Sequence, residues 1–248
     1  MLRYYPMDHA FVLAFGLIIG SFANVCVWRL PRGESLVSPP SHCPFCGTRI
    51  GVRDNIPLIS FIILKARCRI CRHPISWRYP IVEAATGILA LASHFRFGLS
   101  QAGLEVFLLS VLFLILLATD LETRLLPDSL TVGGLVLPLG FPLLAGMEPE
   151  PLDLLLGAAV GSALFLFILL IHFHARGYYG MGYGDVKLMA LSGACFGFPG
   201  FFKPLIASCV LALAVSVPFI LAKGKSWKYP IPFGAFLAGG SLIWLFIK

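Results

Sequence analysis

Eight stretches of apolar residues, most of them close to the length of a bilayer crossing, follow one another along the chain: 9–28, 80–97, 103–119, 129–147, 152–173, 185–199, 203–222 and 230–247. A helix needs about 20 mostly apolar residues to span hydrocarbon. The sixth stretch is short and rich in glycine, and its limits are the least sharply drawn. Only 12% of the residues are charged, about half the fraction usual in soluble domains, against 58% hydrophobic and a mean hydropathy of +0.88. The pattern predicts an all-α polytopic membrane protein of about eight transmembrane helices.

Charge placement orients these helices. Basic residues beside membrane helices favour the cytoplasmic side. The polar segment 31–78 holds Arg32, Arg49, Arg53, Lys65, Arg67, Arg69, Arg72 and Arg78 against Glu34 and Asp54. These residues account for all but one of the formal net charge of +7. The segment is expected in the cytoplasm and the amino terminus outside. Eight alternating spans then place Arg124, Arg176 and Lys223, Lys225 and Lys228 inside, and Glu148, Glu150 and Asp153 outside. The positive excess is that of an inside-facing loop; the expected surroundings are membrane lipid, and no nucleic-acid partner is expected. Arg29 and Arg32 follow the first apolar run instead of preceding it, and no A-x-A cleavage site is evident, so that run is expected to be retained.

Segment 31–78 is the one part long enough to fold outside lipid, and it carries Cys43-Pro44-Phe45-Cys46 and Cys68-Arg69-Ile70-Cys71. Each C-x2-C pair sets two thiolates on a tight turn, and four thiolates satisfy a tetrahedral Zn2+ at about 2.3 Å. A dithiol redox pair is the competing reading, disfavoured by the duplication. A four-thiolate site has no open position, so its metal would be structural, supplying folding free energy that so short an insert cannot draw from a core. Cys26, Cys195 and Cys209 lie in apolar spans and read as small hydrophobes. The expected organisation is a first transmembrane helix over 1–30, a cytoplasmic tetracysteine insert over 31–78 and a membrane core over 79–248.

Acids at membrane depth are costly and mark function. Asp120 closes the third apolar run, and Asp185 opens the sixth inside Gly180-Met181-Gly182-Tyr183-Gly184-Asp185. Both fall at cytoplasmic helix ends in the alternating topology. Two carboxyls held a few ångströms apart share one proton and titrate as a unit. One ionised carboxylate then activates water while the protonated partner polarises a scissile carbonyl. The glycines beside Asp185 would let an extended substrate approach the backbone. The expected chemistry is aspartic intramembrane proteolysis by Asp120 and Asp185.

Other polar residues read differently. Pro127-Asp128-Ser129 has the form of a helix start with Asp128 or Ser129 as cap, and Glu122 is expected to be solvated. Lys187 either balances charge in the site or snorkels to the interface. His172 and His174 point about 200° apart on a helix, chelate poorly and are expected at the interface. Glu83 either pairs with an arginine of the insert or serves a second active site, and the sequence leaves both open.

Taken in order, these residues resemble the type IV prepilin peptidases, a family of bifunctional leader peptidases and N-methyltransferases. The resemblance is carried by Gly20-Ser21-Phe22-Ala23-Asn24-Val25 ahead of Arg29-Leu30-Pro31, the two cysteine pairs, and Asp54-Asn55-Ile56-Pro57-Leu58. It continues through Arg78-Tyr79-Pro80 to Glu83, Asp120 with Leu126-Pro127-Asp128, Gly182-Tyr183-Gly184-Asp185-Val186-Lys187-Leu188, and Ile231-Pro232-Phe233-Gly234. It implies a bacterial inner-membrane enzyme with Asp120 and Asp185 catalytic. Such an enzyme cuts the basic leader of prepilins or pseudopilins after glycine on the cytoplasmic face, then methylates the new amino terminus with S-adenosylmethionine. The tetracysteine insert would mark the bifunctional branch. Ala66 stands where glycine is usual before Arg67-Cys68, and Ala235 where proline often follows Phe233-Gly234. No Gly-rich loop after a strand marks a methyl-donor site, so methylation rests on the resemblance. A proton-coupled transporter is the rival reading, and a membrane-tethered zinc adaptor would leave the GxGD motif without purpose.

Overall fold

The computed structural model describes residues 6–145, 150–178, 180–224 and 231–247. Glu148, Lys225 and Lys228, expected in loops, lie outside the described residues. The regular elements are all helical, with isolated β-bridges in the insert. The longer helices are α1 (Pro6–Arg29), α3 (Arg78–Phe97), α4 (Gln101–Thr123), α7 (Pro151–Arg176), α8 (Tyr183–Phe196), α9 (Phe202–Lys223) and α10 (Phe233–Ile247). Shorter pieces are α2 (Ile59–Ile63), α5 (Asp128–Thr131) and α6 (Val136–Ala145).

Four of these helices are long and apolar enough to cross a membrane: Asp8–Arg32, Gln101–Thr123, Pro151–Arg176 and Phe202–Lys223. The chain is an integral membrane protein. The other apolar stretches form charge-bearing, broken or shorter helices. At 20 residues α3 has the length, but it carries Arg78, Glu83 and Arg96. The fourth stretch is broken by a 3-10 turn at Gly133–Leu135 into α5 and α6, and α8 and α10 are 14 and 15 residues long.

The chain divides into two compact units, Met1–Phe107 and Leu108–Lys248. In the first, α1 and α3 run antiparallel and approach through small residues. A Cβ at Gly16 would fall 2.6 Å from Ala90 Cβ and one at Gly20 would fall 2.7 Å from Glu83 Cα. Small residues let membrane helices pack backbone to backbone, where dispersion and polar contacts replace the hydrophobic drive. Asn24, 1% exposed, extends this seam by donating to the carbonyls of Tyr79 at 3.1 Å and Gly20 at 3.3 Å.

The insert folds as two similar knuckles. Each C-x2-C turn is closed by hydrogen bonds, Cys43 N–H to Thr48 and Cys68 N–H to His73, both 2.9 Å. The turns carry bridges His42 to Arg49 and Arg67 to Pro74. Phe45 stacks on His73 with ring centroids 3.1 Å apart, and Arg69 grips Asp54 bidentately at 2.6 and 2.8 Å. That guanidinium holds the Asp54 carboxyl below its usual value. Ala66 has φ +56, a left-handed backbone that costs a non-glycine residue about 1–2 kcal/mol and that accounts for the glycine which the resemblance leads one to expect there.

In the second unit α7 and α8 are antiparallel and touch at glycines. A Cβ at Gly193 would collide with the backbone of Gly157, and one at Gly161 would lie 3.1 Å from the Met189 carbonyl. The core holds Phe113, Leu116, Leu154, Leu169, Leu188, Leu191 and Leu237, all below 2% exposed. Apolar side chains such as Phe167 and Ile171 on α7 and Ile206, Val210 and Leu213 on α9 are exposed, as expected of surfaces solvated by lipid.

Candidate active site

Three helix ends of the second unit converge on one spot. α4 delivers Asp120 in its last turn, α8 delivers Asp185 in its first turn, and α10 begins beside them. Both aspartates are buried, 5% and 9% exposed. The α8 helix starts where Gly182 turns extended at φ −82 and ψ 152, and the Asp185 N–H donates to the Gly182 carbonyl at 3.2 Å. At the start of α10 the Ala235 N–H donates to Asp120 Oδ2 at 2.6 Å. A proline at 235 would have no such hydrogen to give.

Gly234 measures how close the two acids come. A Cβ there would stand 2.9 Å from Asp185 Oδ1 and 3.0 Å from Asp120 Oδ2. The separation of those oxygens therefore cannot exceed the sum of the two distances. A cavity of about 740 Å3 opens on both carboxylates. Apolar walls come from Leu126, Leu164, Phe165 and Ile168, and Gly180, Gly182 and Gly184 form one side. The size suits a peptide segment, within the ordinary range of ligand pockets. Gly184 is required by packing as well, since a Cβ there would meet Leu126 at 3.0 Å.

Neighbouring polar residues find other roles than expected. Lys187 lines the same cavity as the two aspartates, and its ammonium donates to Asp128 Oδ1 at 2.5 Å. Asp128 does begin a helix, but Pro127 is the cap position and no side-chain cap forms, because the carboxylate is turned to Lys187. His172 has a packing role. Its ring fills the space a Gly180 side chain would need, 2.6 Å from that Cβ position, and meets the Tyr178 ring edge-on. His174 is exposed. The contributions of Ala235 and His172 carry no local sequence signal, since one acts through its backbone and the other through a glycine's missing side chain.

In the first unit Glu83 is buried, 7% exposed, and accepts the Leu58 N–H at 2.8 Å and the Ser21 hydroxyl. Leu58 itself has φ +59. The carboxylate thus ties the middle of the insert to the α1–α3 pair through backbone and hydroxyl donors.

Cys43, Cys46, Cys68 and Cys71 bring their sulfurs within 4.8 Å of one another. The Cys43 and Cys71 sulfurs are 3.8 Å apart, the edge of a tetrahedron whose centre lies about 2.3 Å from each corner, the Zn–S distance. The Thr48 hydroxyl and N–H pull the Cys46 thiol down to about 6, and the N–H groups of Cys71 and Ile70 lower Cys68. At Cys71 the lowering N–H of His73 is outweighed by lost hydration and its three thiol neighbours, which push it up to about 11. Four thiolates so close need a cation to ionise together, and the donor set fits a soft, tetrahedral metal.

Comparison with known proteins agrees with this layout. Residues 14–97 match the bacterial peptidase A24 N-terminal domain, and residues 107–217 match the type IV leader peptidase family. A prepilin leader peptidase/N-methyltransferase of Burkholderia pseudomallei is 35% identical, over 97% of this chain and 85% of its own length. The chain belongs to the type IV leader peptidase family. Proteins with the same description from Myxococcus xanthus (37% identical, 89% of this chain, 66% of the relative) and Xanthomonas campestris (35%, 90% and 85%) are further members. No solved structure gives a significant match. The two family matches fall one in each compact unit, the tetracysteine insert within the first and both aspartates within the second.

Proposed function

We propose that this chain cleaves the basic leader of type IV prepilins or pseudopilins after glycine, on the cytoplasmic face of the bacterial inner membrane, with Asp120 and Asp185. It then methylates the new amino terminus with S-adenosylmethionine. The observation that carries the reading is the convergence of the two buried carboxylates on the space above Gly234, in a glycine-edged cavity.

The carboxylates share one proton. Asp120, which accepts the Ala235 N–H, suits the role of the carboxylate that takes a proton from water. Asp185 carries the shared proton and passes it to the scissile carbonyl oxygen as the water oxygen attacks, which leaves a neutral gem-diol. Collapse breaks the C–N bond: the proton held by Asp120 passes to the leaving amine, and a gem-diol hydroxyl returns its proton to Asp185. The side-chain-free wall at Gly182 and Gly184 admits the leader's glycine in extended form.

In this reading eight segments cross the membrane with residues 31–78 inside, and 79–248 form the protease core. Cys43, Cys46, Cys68 and Cys71 hold a structural Zn2+ that fixes the insert's fold. The test is purified protein in detergent with a prepilin substrate and labelled S-adenosylmethionine. Asp120→Asn and Asp185→Asn are each expected to abolish cleavage at unchanged membrane insertion. Normal cutting by either variant would overturn the dyad; loss of proton-coupled flux with intact cleavage would favour a transporter.

A further inference from the structure

The first unit holds a second cavity, of about 360 Å3, that proteolysis does not use. One face of α1 supplies Ile18, Ser21, Phe22, Val25 and Arg29, positions that recur at helical spacing. This is the face turned away from the Gly16–Gly20 seam. The opposite wall is the insert folding back, at 36–41 and again at Asn55 and Pro57.

Arg29 distinguishes this cavity from a packing defect. Its residue is 6% exposed, and its guanidinium donates to two neutral carbonyls, Ser35 at 2.7 Å and Pro39 at 2.6 Å. A guanidinium has five N–H donors, so donors remain, and among the described residues no carboxylate pairs with it. A buried charge without a counter-ion is strongly unfavourable. Arginine's planar fork is best satisfied by a carboxylate held bidentately. Beside it stand the apolar Phe22 and Val25, and Asn55 lines the insert side. The cavity therefore asks for a compact ligand with a carboxylate at one end and a flat or apolar body at the other.

Chemistry places the methyl transfer away from the dyad. The amine lone pair must attack the sulfonium methyl carbon: a C–N bond forms, the C–S bond breaks and leaves a neutral thioether, and the secondary ammonium releases its proton to water. An amine beside an ionised carboxylate dyad stays protonated and has no lone pair to offer. The dyad's cavity is thus the wrong medium.

We propose that the Arg29 cavity binds the sulfonium methyl donor, with Arg29 gripping the carboxylate of its amino-acid end; this rests on the methyl-transfer limb of the function proposed above. Glu83 holds the wall from behind, through Ser21 and the Leu58 N–H, and acts as a positioning residue.

The experiment compares two competitors of donor binding on the purified full chain. S-adenosylhomocysteine keeps the carboxylate, and methylthioadenosine lacks it. Wild type is expected to bind the first at least about ten-fold tighter, and Arg29→Gln to erase the preference. Ultraviolet cross-linking of labelled donor to wild type is expected to mark residues 18–57, which decides the case if Arg29→Gln fails to fold. No preference in wild type, a preference that survives in Arg29→Gln, or a cross-link elsewhere in the chain would each overturn the assignment. If those results came with normal methyl transfer, only this site would fall. A wild-type protein that neither binds donor nor methylates a pre-cut substrate would sink the methylation reading itself.

Discussion

A single missing side chain governs the approach of the two acids. Gly234 is helical, so its value lies in the space its missing Cβ leaves to Asp185 Oδ1 and Asp120 Oδ2. Gly234→Ala must push one carboxylate away, and displacement of about 1 Å costs about a hundred-fold in rate. Cleavage by membrane-inserted Gly234→Ala protein should fall by about that factor; a rate within three-fold of wild type, in the same assay, would mean the acids do not need that spacing. Ala66 offers the reverse case. Its φ of +56 is one that glycine adopts freely, so Ala66→Gly should stabilise the insert by up to about 1 kcal/mol once glycine's entropy cost is set against the strain. The shift would be read as resistance of the insert to chelator-induced proteolysis, and a more readily cut variant would refute it. The aspartates were legible in the sequence because charge in an apolar run is conspicuous. The contacts of the Ala235 N–H and the His172 ring were not, because one is made by the backbone and the other fills the space beside a glycine.

Helices here are positioned by where they can touch. Gly157 and Gly193 allow α7 and α8 to meet backbone to backbone, and Asp185 rides on the first turn of α8. Gly157→Leu should therefore part these helices, lowering thermal stability and cleavage together. Gly140 has open space around its Cβ position, and Gly140→Ala should leave both intact or raise stability slightly, as helix propensity predicts; melting curves and cleavage rates of the two variants decide, and equal behaviour would show that the glycine seam carries no load. The insert depends on a different contact. Its hydrophobic residues are largely exposed, Val37 and Val52 at 90% and 89%, so a metal on the four sulfurs is the expected main source of its stability. About one Zn2+ per chain is expected by elemental analysis, lost in Cys43→Ser and Cys71→Ser. Fully active metal-free protein would argue against it. Apolar runs, turn residues and paired cysteines announced these elements in the sequence. The short, glycine-rich sixth run announced a short α8, but the break of the fourth run at Gly133–Leu135 and the shortness of α10 were not announced, because composition over a window does not report where packing against a neighbour stops a helix.

At the scale of the whole chain, two sets of chemistry-bearing residues occupy two compact units. Asp120, Asp185 and Gly234 belong to Leu108–Lys248, while Arg29, Asn55, Glu83 and the cysteines belong to Met1–Phe107. The order of the two reactions follows from their substrates, since a leader must be removed before the amine exists to be methylated. Nothing in the dyad's chemistry assists methyl transfer, and an ionised carboxylate near the amine opposes it by keeping it charged. On the proposed two-site reading, the product of the first site leaves the dyad before the second reaction begins. Asp185→Asn conserves shape and removes the shared proton, so it should eliminate cleavage and leave methylation of a substrate already cut at its glycine within about two-fold of wild type. Labelled methyl incorporation into uncut prepilin should be absent in the same variant, because no free amine of the mature sequence is formed. Parallel loss of methylation on the pre-cut substrate, in protein with an unchanged melting temperature, would mean that both reactions use one site and that the division into two units has no functional counterpart.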